Sequence, residues 1–347
     1  MRRAIGPILG LFLLVEIGVA VAIVLAYPGG FGALADFNVG PERRQEQPVQ
    51  TFDLGGQTGN LVINNGAGRV TVEADPAANV VTVNATKVIN GGNDEAFSRL
   101  NYSVTREGNT INIKAERGPT VGINFGARVD IQITTPRNLV ANIETGSGNI
   151  RVIGLEVADQ NFSLNTGSGS ITATDLKAAN VRLHTGSGGI FISNLSGLVD
   201  AEASSGSITL NNFSSATKTH LKTGSGSIKL DGITGDLDAE TSSGTINVQK
   251  ANVSDLRLNT GSGGISFNGQ ATFKDGSQIR TGSGSIDLNF TGLTDKPRFD
   301  VSTGSGSINF NVTGLNYNKP DKQHLITNNS GPLVKISTGS GSVKITG

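Results

Sequence analysis

The sequence predicts an all-β chain wound into a β-solenoid (β-helix) of about ten 18–22-residue coils, behind an apolar N-terminal helix. Three observations predict it. First, the motif Thr-Gly-Ser-Gly-x-Ile recurs, starting at Thr145, Thr166, Thr185, Thr223, Thr260, Thr281, Thr303 and Thr338, with two x-Ser-Ser-Gly-x-Ile variants starting at Ala203 and Thr241. Second, the apolar residues that close the copies fall at Ile150, Ile171, Ile190, Ile208, Ile228, Ile246, Ile265, Ile286, Ile308 and Val343, every 18–22 residues except for a last gap of 35. A period near 20 marks stacked repeats, which bury a continuous core only with their neighbours. Third, apolar residues alternate on both sides of each motif: Val181 and Leu183 before Thr185, or Ile265 and Phe267 after Thr260. Period two is the pattern of a half-buried strand.

From the N-terminus, Arg2 and Arg3 precede an apolar run from Ala4 to Tyr27. As a helix its 24 residues would span about 36 Å, enough to cross a bilayer. Residues 1–27 are therefore expected to be a transmembrane signal anchor with a cytoplasmic N-terminus and an extracytoplasmic remainder. Ala33–Ala35 offers a signal-peptidase-like alternative, although the apolar run exceeds the usual signal core. Glu16, inside the span, either contacts a partner helix or is tolerated in a single helix. Residues 28–48, with their Gly, Pro and polar run Glu42–Gln47, are expected to be a linker.

Residues 49–137 are strand-like but irregular, with runs at Val80–Ala85, Leu100–Thr105 and Thr110–Ala115 and a helical stretch near Asp94–Leu100. Asn65-Gly66-Ala67-Gly68-Arg69-Val70 reads as a degenerate motif. This segment is expected to begin or cap the solenoid. Residues 138–347 form the regular part, with two strands per coil joined through the Gly-Ser-Gly corner. Glycine suits the corner because it reaches positive φ. A second corner precedes apolar residues at Asn194-Leu195, Asn212-Phe213 and Gly232-Ile233. The motif threonine shares the inward parity and is expected to form a ladder whose hydroxyls bond neighbouring backbone. The alternative is an outward threonine array, as in ice-binding solenoids. Asn311 to Val334, containing Tyr317-Asn318-Lys319-Pro320, is expected to loop out, leaving the tenth coil with an open edge for end-to-end self-association.

The run Val129-Asp130-Ile131-Gln132-Ile133-Thr134-Thr135-Pro136, followed by serial Ser/Thr-Gly-x-Ile coils, resembles a bacterial adhesin-like family of β-strand-repeat proteins, a domain of unknown function. The resemblance covers roughly Val49 to Gly347. It implies an envelope-associated β-solenoid, often behind a membrane helix, and no catalytic residues.

Composition narrows the function. Net charge is zero with pI near 6.9, so there is no electrostatic footprint for nucleic acid. Cysteine is absent and the three histidines, His184, His220 and His324, are scattered, so no metal cluster and no cofactor is expected. The glycine turns carry serine rather than the aspartate of calcium-binding repeats. A strand, not a helix, follows Gly-Ser-Gly, which argues against a phosphate loop. No base recurs to activate the serines, and no catalytic residue is assigned.

The candidate binding face lies on the outward positions before the motif. Successive coils carry Arg182 and His184, Asp200 and Glu202, His220 and Lys222, Asp238 and Glu240, then Arg257. The sign alternates, and the acidic coils are the two Ser-Ser-Gly variants. Such alternation is first of all a support for strand register; the functional alternative is recognition of a surface glycan or another envelope protein. The functional expectation is a non-enzymatic, membrane-anchored envelope module, adhesin or scaffold. The alternatives are an envelope-stress regulator signalling through its helix, a self-polymerising scaffold, and a polysaccharide-acting β-helix enzyme.

Overall fold

In the computed structural model, residues 41–91, 95–118, 126–215, 218–319 and 321–347 are described. The predicted span Ala4–Tyr27, with Glu16, the arginines and Ala33–Ala35, lies outside them. Among the described residues no helix is long and apolar enough to cross a membrane. They are almost wholly β, with one short helix, Glu95–Ser98, inside the stretch expected to be helical.

Alternation in the sequence becomes alternation in burial. Leu256–Thr260 and Ser277–Thr281 run buried, exposed, buried, exposed, buried. The inward set, including Val181, Leu183, Ile228, Leu230, Ile265, Phe267, Phe299 and Val301, forms one continuous core. Adjacent coils pair in parallel with equivalent residues opposite each other. Thr166 stands beside Thr185, Ile190 beside Ile208, and Leu237 beside Leu256. The degenerate motif occupies the rung next to the first copy, with Asn65 opposite Thr145 and Val70 opposite Ile150.

The first eight coils have a third strand in addition to the two expected. After the second corner a short ladder runs through Leu176, Leu195, Phe213 and Ile233. The corner preceding it is left-handed: Asp175, Asn194 and Asn212 have φ of 54°, 52° and 51°. Asn and Asp tolerate that region better than other side chains, which is why they recur there. Asn194 Nδ2 donates to Asp175 Oδ1 (2.8 Å) and Asn212 Nδ2 to Asn194 Oδ1 (3.2 Å). The coil therefore has three sides.

The Gly-Ser-Gly corner needs glycine for a different reason from the one expected. None of the motif glycines from Gly167 to Gly341 has positive φ. Instead, a Cβ on Gly169, Gly188, Gly226 or Gly263 would fall far inside 3.0 Å of the carbonyl oxygen of the preceding coil's glycine. Rung spacing, not torsion, selects the residue.

The motif threonine is inward, as its parity requires. Thr241 Oγ1 donates to Gly226 O of the preceding coil (2.9 Å) and accepts from Gly244 N of its own corner (3.1 Å). The same pair of bonds recurs at Thr166, Thr185, Thr223, Thr260 and Thr281.

Rung order departs from chain order at one place. Ser277–Thr281 of the eighth coil pairs with Leu333–Thr338 of the tenth, which in turn pairs with Arg298–Thr303 of the ninth. On the neighbouring side Ile286–Leu293, Val343–Thr346 and Ile308–Asn311 repeat that order. The tenth coil is thus interior, and the expectation of an open edge on it is corrected. The segment expected to loop out supplies a cover instead. His324–Thr327 pairs antiparallel with Arg298–Thr303, and Tyr317–Asn318 pairs with His324–Thr327. At the other end, Leu100–Glu107 and Val80–Asn90 pair antiparallel with Thr110–Arg117 and Arg128–Thr135. Glu42–Glu46, expected to be linker, is a strand on Val80–Asn90. Antiparallel strands thus cover both parallel ladders at the N-terminal end and, at the other end, the ladder that finishes in Arg298–Thr303, which protects those edges from adventitious pairing, whereas Ile308–Asn311 pairs only with Val343–Thr346.

Candidate functional site

Stacking brings the nine outward residues picked from the sequence onto one face, in two columns. Arg182 stands opposite Asp200, Asp200 opposite His220, His220 opposite Asp238, and Asp238 opposite Arg257. The second column runs His184, Glu202, Lys222, Glu240 through the same rungs. Beyond Arg257 the inserted tenth coil alters the expected series: Gln278 meets Lys335, and Lys335 meets Asp300.

Adjacency does not make every neighbour an ion pair. Arg182 Nε lies 3.3 Å from Asp200 Oδ2, and His184 Nδ1 lies 3.8 Å from Glu202 Oε2. Asp238 turns away from His220 towards Lys218 Nζ at 3.5 Å, which also lies 3.4 Å from Asp255. Among the described residues His220, Lys222, Glu240 and Arg257 have no side-chain ion pair or hydrogen bond. The face therefore divides into a paired part, around Arg182–Asp200, and an unpaired part with two cationic residues, one acid and an imidazole. Exposed pairs of this kind contribute about 0–1 kcal/mol each to stability.

Sequence reasoning missed the network at the next corner. Lys274 Nζ lies 2.8 Å from Asp236, which holds the lysine above its usual pKa, and Ser277 Oγ donates to Asp255 Oδ1 (3.2 Å). These residues occupy irregular turn positions where the repeat has no fixed register, so no column flagged them. Nearer the N-terminal cover, Arg128 joins Glu42 (3.0 Å) and Asp130 (3.3 Å). Burial pushes the Tyr102 phenol up to about 12. Among the described residues no group of His, Asp and Glu could hold a metal ion.

The chemistry available on the face is recognition by charge and hydrogen bonding on a flat, regularly spaced surface. No nucleophile there is paired with a base, and the polar groups do not converge on a pocket.

Comparison with known proteins finds distant likenesses among solved structures and one family model. Among solved structures, a "putative adhesin" from Parabacteroides merdae ATCC 43184 shares 11% identity over 88% of this chain and 97% of its own, with a TM-score of 0.35. A "putative lipid binding protein" from Parabacteroides distasonis ATCC 8503 shares 15% over 88% and 97%, at 0.33. A "putative cell adhesion protein" from Clostridium sporogenes ATCC 15579 shares 11% over 88% and 99%, at 0.24. No curated protein matches. The family model described as Toastrack DUF4097 matches twice in tandem, over residues 58–197 and 197–346. The chain belongs to the Toastrack DUF4097 family.

Proposed function

We propose that this chain is a non-enzymatic, membrane-anchored envelope module that binds a surface glycan or another envelope protein through the outward charged columns. One observation supports this reading most: His220, Lys222, Glu240 and Arg257 are presented in register on a rigid face without partners among the described residues. Charges held for strand register alone would be satisfied by their rung neighbours, as Arg182 and Asp200 are. A flat array of charges at strand spacing suits a long ligand with repeating polar groups. The absence of convergent acid–base pairs favours binding over chemistry.

The test is adherence of cells displaying the chain to immobilised glycans and to isolated envelope, comparing native protein with the His220→Gln, Lys222→Gln, Glu240→Gln, Arg257→Gln variant. Adherence should fall at least about tenfold at unchanged thermal stability. Unchanged adherence with lowered stability would return these residues to a purely structural role.

A further inference from the structure

The order of rungs bears on how copies of this chain associate. The ninth coil precedes the tenth in the sequence but lies outside it in the stack. After Leu293 the chain steps over one rung within residues 294–297 and builds the ninth coil. It then covers that coil with Tyr317–Asn318 and His324–Thr327, crosses beneath it, and fills the skipped rung with residues 333–347.

The filled slot has two walls. On the eighth-coil wall, Gly339 N donates to Thr281 O (3.3 Å) and Ser340 N to Gly282 O (3.2 Å). On the ninth-coil wall, Gly304 N donates to Thr338 O (3.0 Å), Ser305 N to Gly339 O (3.0 Å), and Val343 N to Ser307 O (3.0 Å). The threonine bond is kept on both sides: Thr338 Oγ1 donates to Gly284 O and Thr303 Oγ1 to Gly341 O, each at 2.7 Å. The walls also meet each other in the core, where the rings of Phe290 and Phe299 stack with centroids 5.9 Å apart. That contact spaces the eighth and ninth coils independently of the segment between them.

None of these contacts depends on which chain supplies the inserted segment. Its tie to the ninth coil is the crossover 328–332, Asn-Asn-Ser-Gly-Pro, bonded through Pro332 O to Arg298 N (2.9 Å). We propose that the slot between the eighth and ninth coils is a strand-receiving site, and that two copies of this chain pair by reciprocal exchange of residues 333–347. Each segment fills the other copy's slot with every rung contact retained. The balance then rests on concentration against the tether. A short connection holds its segment at an effective concentration of about a millimolar, so exchange requires crowding. Because the swap is reciprocal, each slot is filled by the other copy's segment and the assembly closes at two copies rather than growing.

The absence of cysteine makes a direct test available. Ser302 and Ser337 are rung partners across the ninth–tenth interface, a spacing within the range for a disulfide. The full chain carrying Ser302→Cys and Ser337→Cys is refolded over a range of concentrations and oxidised. The expected result is an intrachain disulfide in dilute solution and a disulfide-linked dimer whose fraction rises with concentration, exceeding about a third near a millimolar. The Asn259→Cys, Arg280→Cys control lies wholly before the crossover and should stay intrachain throughout. As a second measurement, a labelled peptide of residues 333–347 is refolded with the wild-type chain in excess. The peptide should be retained, and its Gly341→Ala form retained at least about tenfold less. An exclusively intrachain disulfide at every concentration would overturn the proposal, as would equal retention of the two peptides.

Discussion

The threonine ladder can be tested one hydroxyl at a time, because the chain contains its own natural deletion. Thr241 is buried, its hydroxyl donating to Gly226 O and accepting from Gly244 N. Thr241→Val keeps the shape and leaves both a buried carbonyl and a buried amide without that partner. Each bond is worth about 1 kcal/mol net, and each orphaned buried group about 1–3 kcal/mol. Two such groups are orphaned, so the expected destabilisation is about 2–6 kcal/mol. At the equivalent position of the preceding acidic coil stands Ala203, fully buried between Thr185 and Thr223. Ala203→Thr should supply the missing bonds, to Gly188 O and from Gly206 N, and stabilise by about 1–2 kcal/mol. Because stacked repeats need not unfold as one unit, the assay is hydrogen exchange resolved by peptide, alongside urea denaturation. Protection should fall in the two coils flanking residue 241 and rise in those flanking 203. A loss below about 0.5 kcal/mol for Thr241→Val together with a destabilising Ala203→Thr would refute the argument that hydroxyls tie the corners together.

Two further outcomes follow from other parts of the fold. Gly263→Ala places a methyl into the Gly244 carbonyl, whereas Gly108→Ala meets nothing within 4 Å and has only its φ of +59° to contend with. The first should cost more than about 3 kcal/mol and the second about 1–2 kcal/mol, read as the difference in urea midpoint; equal costs would remove close stacking as the reason for the motif glycine. At the N-terminal cover, hydrogen bonds from Arg128 and then Arg44 hold the Glu42 carboxylate below its ordinary value of 4.5. A depressed carboxylate stabilises the fold above its unfolded value and loses that contribution as pH falls through the folded one. Cleavage within Glu42–Glu46 should therefore quicken as pH falls through that depressed value, and Glu42→Gln should be cleaved faster than the native chain at neutral pH as well; a pH-independent cleavage rate in the native chain would contradict this.

Much of the architecture was legible because the repeat reports it redundantly. Ten copies at one period give coils, and parity places Val181, Leu183 and Thr185 on the same side without any reference to neighbours. The charged columns were legible for the same reason, since positions at a fixed offset from the motif must stack. Legibility stopped where offsets cease to be fixed. Lys218, Asp236, Asp255 and Lys274 occupy turns of varying length, and their network depends on how those turns fold. The third strand was hidden because its runs, such as Leu176 to Ala178, are too short to show a period. The role of the motif glycine was hidden because the clash that selects it comes from a residue about twenty positions away, not from its own torsions.

By itself, then, the sequence determined the repeat, the inward and outward sides of each strand, and where the corners fall, because these follow from local alternation and from the period of the motif. It could not determine the order of rungs. Every copy presents the same edge, Thr-Gly-Ser-Gly followed by an apolar residue, and such edges pair equally well in any sequence of stacking. The choice of the tenth coil as neighbour of the eighth was made by long-range terms: the reach of residues 294–297, the stacking of Phe290 on Phe299, and the antiparallel cover on Arg298–Thr303 of the ninth coil. Those are properties of the assembled core, and only the tertiary structure holds them.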